Sequence, residues 1–179
     1  DDVIGSLCAW AYESGHAVTI LSSDKDLMQL VTDTVSLVRP ALRPLDKDYT
    51  TFRPAEVKAK LGIEPHLVPH WLALAGDASD NYKPYQGIGD KRAIELLSAA
   101  GHALAVFEGA VSMTELTRIL GSKLAESLLA AGAEPARKAL EVATVVRDLP
   151  LDFETLTGEP VFHKVIPMDT QPIEATPES

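Results

Sequence analysis

The stretch that decides the fold is Ala17-Val18-Thr19-Ile20-Leu21-Ser22-Ser23-Asp24-Lys25-Asp26. Its first five residues are apolar or β-branched without polar alternation, which predicts a strand buried on both faces. Residues 3–14 before it and 24–31 after it have helical spacing, and a second β-branched run follows at 34–38. The order helix, strand, helix, strand predicts a parallel sheet covered by helices.

Beyond Pro40 the apolar spacing becomes helical. Helices are predicted at 54–61, 65–75, 91–100, 112–131 and 134–148, and Thr50 or Thr51 is expected to cap the first of them. The last 29 residues are rich in acids and proline, which predicts a mostly unstructured tail. We therefore divide the chain into an α/β part at 1–49, a helical part at 50–150 and an acidic, proline-rich tail at 151–179.

Composition excludes several classes of protein. The chain of 179 residues has one cysteine, so an internal disulfide and a cysteine-rich zinc site are both excluded. No apolar run is long enough to span a membrane, and no signal peptide begins the chain, so we expect a cytoplasmic protein. The net charge of −10 argues against a nucleic-acid partner. The tail, however, carries six acids and one base, which is half of this excess negative charge.

Three acidic pairs are candidates for metal binding. The second pair directly follows the first predicted strand, where ligands gather in open α/β sheets. Hard divalent ions such as Mg²⁺ and Mn²⁺ prefer carboxylate oxygens. Each pair taken alone is more simply explained as a helix cap or part of a solvated face. The three together favour metal binding, because strand-end placement and exposed turns recur. The pairs are Asp1 with Asp2, Asp24 with Asp26, and Asp77 with Asp80.

A second candidate site is Gly87-Ile88-Gly89-Asp90-Lys91-Arg92, which opens a predicted helix. Two glycines allow the backbone to approach a phosphate closely, and the first N–H groups of the helix point at the anion. The pattern is typical of a helix-hairpin-helix element, which binds the DNA backbone without reading bases. An ordinary glycine-containing turn between two helices would give the same residues.

Four runs occur in a characteristic order: DDVIG at 1–5, SSDKDLMQLV at 22–31, GDASDN at 76–81 and GIGDKRA at 87–93. In this order they resemble the 5′-nuclease (flap endonuclease) family, which includes the 5′→3′ exonuclease domain of bacterial DNA polymerase I and stand-alone bacterial and phage exonucleases. The resemblance covers roughly residues 1–110. It implies an α/β fold in which the C-terminal part of a PIN-like parallel-sheet nuclease core is followed by an all-helical helix-hairpin-helix subdomain.

The resemblance also implies the site. One Mg²⁺ or Mn²⁺ ion would be held by the carboxylates of Asp24, Asp26, Asp77 and Asp80. A second ion would be held by Asp1 and Asp2, with Asp24 shared between the two. The family's remaining ligands, a glutamate and further aspartates, and its helical arch match positions upstream of Asp1, so we expect the 179-residue chain alone to be weak or inactive. The DNA-binding residues would be Gly87, Gly89, Lys91 and Arg92.

Relatives in this family also bind a K⁺ ion through backbone carbonyls near the hairpin. The matching positions are Leu74, Ala75, Lys83, Tyr85 and Ile88. The chain departs from the family here, because Pro84 stands where a glycine is usual and fixes φ near −65°.

Three interpretations therefore compete. The leading one is a monomeric, structure-specific 5′→3′ exonuclease or 5′-flap endonuclease. It would hydrolyse DNA at flaps, nicks or duplex ends, in replication or repair, by a two-metal-ion mechanism. The second is a non-catalytic helix-hairpin-helix module that binds DNA. The third is a structural fragment of a larger replication protein. The proline-rich tail after Pro150 favours a stand-alone nuclease over a domain of a polymerase.

Overall fold

The N-terminal part is a three-stranded sheet preceded by a helix. The computed structural model describes residues 1–40, 49–77 and 81–152. Strands β1 and β2 are parallel, with Val18 opposite Val35, and β2 and β3 are antiparallel, with Leu37 opposite Phe52. The predicted α/β class with a parallel strand pair is therefore confirmed. The elements are α1 (Asp2–Glu13), β1 (Val18–Leu21), a 3₁₀ helix (Asp26–Leu30), β2 (Val35–Arg39) and β3 (Thr50–Phe52).

Two details of the sheet differ from prediction. Among the described strands β1 lies at the edge, with β2 as its neighbour. The Leu21 side chain is 67% exposed whereas Ile20 is buried, so the prediction of a strand buried on both faces is wrong here. Thr50 and Thr51, expected as helix caps, instead pair with β2. Their β-branched side chains suit a strand, and this tertiary pairing outweighs their local capping preference.

The rest of the described chain is helical. Gly121 has φ 81° and ψ 153°, which divides the helix predicted at 112–131 into α5 and α6. The last helix ends at Ala143 instead of Asp148, because the residues that follow bond to α1 and to the 3₁₀ helix. The elements are α2 (Pro54–Leu61), a 3₁₀ helix (Pro65–Leu67), α3 (Val68–Ala75), α4 (Asp90–Ala100), a 3₁₀ helix (Leu104–Val106), α5 (Met113–Leu120), α6 (Ser122–Ala131) and α7 (Glu134–Ala143).

Helix α3 is the centre of the core. It is apolar around most of its circumference, and Val68, Ala73 and Leu74 are fully buried. A helix of this kind must be covered on several sides, and α3 packs against α4, α7 and the 3₁₀ helix after β1. Asp77, which follows α3 and its glycine, is therefore attached to a helix that is packed on several sides.

Residues 1–149 form one compact unit. The predicted tail at 151–179 lies outside the described residues except for 151 and 152. The boundary predicted between 1–49 and 50–150 stays a prediction. In the part of the chain that the structure describes, no helix has the length and apolar character needed to cross a membrane.

Candidate functional site

The loop after β1 carries two of the predicted ligands in a fixed turn. The Asp24 N–H donates to Ser22 Oγ over 3.1 Å, and the Asp26 N–H donates to Asp24 Oδ1 over 2.9 Å. Such bonds from short polar side chains to nearby backbone stabilise a turn without help from neighbouring elements. The turn leaves Asp24 exposed and Asp26 half-buried at the carboxyl end of the strand.

Asp77 is fixed by the backbone around it. Gly76, at φ 81°, ends α3, and a Cβ atom there would collide with the Tyr82 carbonyl and lie 2.9 Å from Lys83 Cα. Asp77 and Tyr82 exchange two backbone hydrogen bonds of 2.8 and 2.9 Å. Only a glycine fits this left-handed, crowded position. The Asp77 backbone is consequently held at one place, and the residue is only 7% exposed.

The two loops meet in one cleft. Asp1, Asp24, Asp26 and Asp77 line a cavity of about 620 Å³ together with Ser22, Ser23, Lys25 and Arg39, which we name the acidic cleft. Four of the six predicted carboxylates thus share one space. A neighbouring cavity of about 530 Å³ is lined by Asp1, Asp2, Asp26 and Asp77 together with apolar residues of α3 and α7, and with Tyr82, Lys138 and Val145.

Lys25 is a functional candidate that the sequence analysis missed. Its ammonium Nζ lies 2.9 Å from Asp77 Oδ2 and 5.9 Å from the centre of the Trp71 ring. A buried carboxylate requires a nearby positive charge, and Lys25 supplies one. The available signal was its position between Asp24 and Asp26, at the carboxyl end of a strand. The cleft therefore already accommodates a cation beside Asp77.

The described residues do not by themselves complete a predicted metal cage. Within residues 1–40, 49–77 and 81–152, no three His, Cys, Asp or Glu side chains are arranged to hold one ion. Asp80, the fourth predicted ligand of the first cage, lies outside the described residues. Asp2 Oδ1 accepts a hydrogen bond of 2.9 Å from the Val146 N–H, so this oxygen is engaged by the backbone. The ligand assignments stay a prediction.

The hairpin that precedes α4 has two exposed glycines on either side of one buried residue. Ile88 is fully buried, whereas Gly87 and Gly89 on either side are exposed. A Cβ atom at Gly89 would meet nothing within 4 Å, so the space in front of its backbone is open. Arg92 Nη1 donates to the Gly87 carbonyl over 2.7 Å, which stabilises the turn, and the Lys91 side chain is exposed.

Two tyrosines connect this segment to the start of α7. Tyr85 Oη donates to the Gly132 carbonyl over 2.8 Å and accepts from the Ala136 N–H over 3.0 Å. Burial raises the pKa of the Tyr85 phenol to about 12, because the charged form would lose its hydration. Tyr82 Oη donates to the Pro135 carbonyl over 2.9 Å at a more exposed position. The hairpin is therefore rigidly attached to the helical part.

The predicted K⁺ site falls on the same segment. Leu74 and Ala75 end α3, and the residue after them packs against Tyr82 and Lys83. The Ile88 N–H donates to the Tyr85 carbonyl over 3.4 Å. The structure thus brings the five residues into one region, and K⁺ binding by their carbonyls stays a prediction.

Comparison with known proteins gives two adjacent family matches. Residues 1–62 match the family model described as 5′-3′ exonuclease, N-terminal resolvase-like domain. Residues 63–161 match the model described as 5′-3′ exonuclease, C-terminal SAM fold. The second match alone covers more than half of the chain.

Individual relatives agree with these matches. The chain is 34% identical over 155 residues to DNA polymerase I of Bacillus subtilis, which covers 85% of the chain and 16% of that polymerase. It is 34% identical over 164 residues to DNA polymerase I of Pseudomonas aeruginosa, with coverage of 89% and 17%. The chain therefore spans about one sixth of the length of these relatives.

A solved structure of the phage T5 5′-exonuclease with bound zinc matches 78% of this chain and 58% of that protein, at 19% identity and a TM-score of 0.49. The family assignment depends on the two sequence models, which follow each other without a gap and in the family's order. Together with the order of the acidic and hairpin motifs, they show that the chain belongs to the 5′-3′ exonuclease family.

Proposed function

We propose that the chain is the nuclease part of a structure-specific 5′→3′ DNA exonuclease or 5′-flap endonuclease that acts in replication or repair. The observation that carries the proposal is the acidic cleft, in which Asp1, Asp24, Asp26 and Asp77 come together at the carboxyl end of β1. The connection between α3 and α4 carries both Asp77 and the hairpin. One short segment would thus bear a cleavage residue and a DNA-binding turn.

The residues of the cleft fit divalent cations. Their donor atoms are carboxylate and hydroxyl oxygens, which Mg²⁺ and Mn²⁺ prefer. The Lys25 ammonium beside Asp77 Oδ2 marks a position where positive charge is stable. We propose two ions, held by Asp24, Asp26, Asp77 and Asp80 and by Asp1 and Asp2. When bound, they supply Lewis-acid chemistry that stabilises the negative charge developing on a phosphate during hydrolysis.

The chain's own residues would bind and orient the substrate. Gly89, with open space in front of its backbone, allows a phosphate to approach the first turn of α4. Lys91 adds a positive charge there, and Arg92 keeps the turn in place through the Gly87 carbonyl. The rigid attachment of this segment would hold the duplex at a fixed distance from the acidic cleft, so that cleavage occurs at a defined position.

The finer features of the proposal follow the family pattern. The substrate would be DNA with a 5′ flap, a nick or a duplex end, and the protein would act as a cytoplasmic monomer. A K⁺ ion bound by the carbonyls near the hairpin would strengthen the contact with DNA. The residues at 1–49 would belong to the nuclease core and those at 50–150 to the helix-hairpin-helix subdomain.

Substrate preference and metal dependence test the proposal together. A 5′-flap duplex, a nicked duplex and a single strand are incubated with an excess of protein, with Mg²⁺, with Mn²⁺ or with a chelator. We expect slow cleavage of the flap and the nicked duplex, dependent on the divalent ion, and little cleavage of the single strand. Equal cleavage of all three substrates, or cleavage in the presence of chelator, would contradict the proposal.

The second candidate function is a non-catalytic DNA-binding module. One observation favours it: the described residues contain no group of three side chains that could hold a metal ion. In that case DNA would bind without being cut. A complete lack of cleavage and of Mn²⁺ binding, together with retained duplex binding, would support this alternative.

DNA binding through the hairpin is tested independently of cleavage. Replacing Lys91 and Arg92 together with alanine should weaken binding to two unrelated duplexes equally. It should also reduce the slope of log affinity against log salt by up to about 2. The control replaces Lys58 and Lys60 of α2, which changes the net charge equally on exposed side chains of another helix. Equal effects of the two double variants would exclude a specific role for the hairpin.

A further inference from the structure

The segment that follows α7 is held by side chains of the α/β part. We name residues 144–149 the clasp. Its N–H groups donate to three side chains: Val145 to Gln29 Oε1 over 2.9 Å, Val146 to Asp2 Oδ1 over 2.9 Å and Leu149 to Ser6 Oγ over 3.1 Å. None of these bonds belongs to a helix or a sheet. The course of the clasp is therefore set by α1 and by the 3₁₀ helix Asp26–Leu30.

Gln29 is the most fully bonded of these side chains. It is 3% exposed, and its Nε2 donates to the Asp26 carbonyl and to the Ala143 carbonyl, each over 2.9 Å. Its Oε1 accepts from Val145, so both N–H groups and the oxygen of the amide are engaged. Its backbone carbonyl also accepts from Arg147 Nη2 over 3.0 Å. Gln29 thus connects Ala143, the last residue of α7, to the backbone of Asp26, a predicted metal ligand.

The clasp also lies tightly against the first turns of α1. A Cβ atom at Gly5 would be 2.5 Å from Val145 Cγ1 and 2.7 Å from the Val146 carbonyl oxygen, so the two backbones are in close contact. Ser6 Oγ donates to the Asp2 carbonyl over 2.8 Å. The start of α1, which places Asp1 in the acidic cleft, is therefore held by the clasp, and the clasp is also bonded to Gln29, whose amide donates to the Asp26 carbonyl.

We propose that the clasp positions the carboxylates of the acidic cleft and that Gln29 is the positioning residue through which it holds Asp26. The inference rests on the proposed metal-dependent function. Metal affinity depends on hydrogen bonds that orient the ligands, and loss of one such partner typically costs about 10- to 100-fold. Gln29 acts on the Asp26 backbone and not on its carboxylate, so we expect the lower end of this range.

The test compares Mn²⁺ affinity among variants of the 179-residue chain. Gln29→Met keeps the length of the side chain and removes its amide, and should weaken Mn²⁺ binding by about tenfold. Affinity is measured by electron paramagnetic resonance of free Mn²⁺, which does not require activity. The control is Leu128→Ala, which destabilises the core in α6, a helix that lines neither of the two acidic cavities. The control should melt at a lower temperature with unchanged Mn²⁺ affinity.

A second variant tests the same role if Gln29→Met does not fold. Gln29→Glu keeps the size and the acceptor for Val145 but places a carboxylate oxygen against the two carbonyls. Its added negative charge alone would favour Mn²⁺, so weaker binding must come from altered geometry.

In the wild type, Mg²⁺ should slow hydrogen exchange of the Val145 and Val146 amides, because coupling between the clasp and the cleft is reciprocal.

The outcomes separate the inference from the proposed function. If the wild type binds Mn²⁺ and the Gln29 variants bind it equally well, the positioning role is overturned and the proposed function stands. If the wild type does not bind Mn²⁺, both are overturned. If Leu128→Ala loses as much affinity as Gln29→Met, the effect comes from general destabilisation, and the positioning role is again overturned.

Discussion

Replacing Lys25 with methionine removes the positive charge that lies 2.9 Å from Asp77 Oδ2. The Asp77 side chain is 9% exposed and that of Lys25 is 35% exposed, so solvent screens the pair only in part. Breaking a fully buried pair costs about 3–5 kcal/mol, and breaking an exposed one costs about 0–1 kcal/mol. We therefore expect the metal-free variant to lose about 1–3 kcal/mol of unfolding free energy. For a chain of this size the loss corresponds to about 2–12 °C in melting temperature.

A bound divalent ion should replace the missing charge. Saturating Mn²⁺ should therefore raise the melting temperature of Lys25→Met more than that of the wild type, and so narrow the gap between them. Circular dichroism with and without Mn²⁺ measures both quantities. Lys58→Met is the control, because it breaks an exposed pair with Glu64 at 2.7 Å and should have no measurable effect. A gap that Mn²⁺ leaves unchanged would refute the reasoning.

Three further predictions concern the packing that holds the site. Tyr85→Phe removes the hydroxyl that bonds the Ala136 N–H and the Gly132 carbonyl, and should lower the free energy of unfolding by about 2–3 kcal/mol in urea denaturation. Tyr82→Phe removes one hydrogen bond at a more exposed position and should lower it by less than about 1 kcal/mol. Because burial raises the pKa of Tyr85 to about 12 from 10.0 in the unfolded chain, the stability that depends on its neutral form is complete below pH 10 and is lost as the pH rises through 12. An ultraviolet absorbance titration should show an ionisation step near pH 12, and this step should vanish in Tyr85→Phe. Gly5→Ala should lower the free energy of unfolding by about 1–3 kcal/mol in the same denaturation assay, because its methyl group would push Val145 and Val146 away from α1. A stability within error of the wild type would contradict the close contact.

Elements with strong local signals could be predicted from the sequence. The β-branched run of β1, the glycine after α2 and the Asp90–Ala100 helix all appear where the pattern placed them. Elements that depend on distant partners could not. The strand at Thr50–Phe52 exists because it pairs with β2, and α7 ends early because the clasp bonds elsewhere. Period and propensity carry no information about such partners.

The candidate site also combines features that the sequence indicates with contacts that depend on distant partners. Asp24 and Asp26 follow a strand and Asp77 follows a glycine turn, and both positions are visible in the sequence. That these carboxylates bind metal stays a prediction. Lys25 lies among them, yet its pairing with Asp77 depends on how two loops approach each other. Gln29 was not predicted at all, since its partners Ala143 and Val145 are more than one hundred residues away along the chain. A buried amide leaves no periodic signal.

The most direct test of the central claim is the rate at which a 5′-flap duplex is cut in the presence of Mg²⁺ by the wild type, Asp77→Asn and Asp33→Asn. Asp77 lines the acidic cleft, whereas Asp33 is exposed and lines none of the cavities described above. If the cleft hydrolyses DNA, Asp77→Asn should cut at least about 100-fold more slowly than the wild type, and Asp33→Asn should cut at the wild-type rate. Cleavage by Asp77→Asn at the wild-type rate would contradict the account.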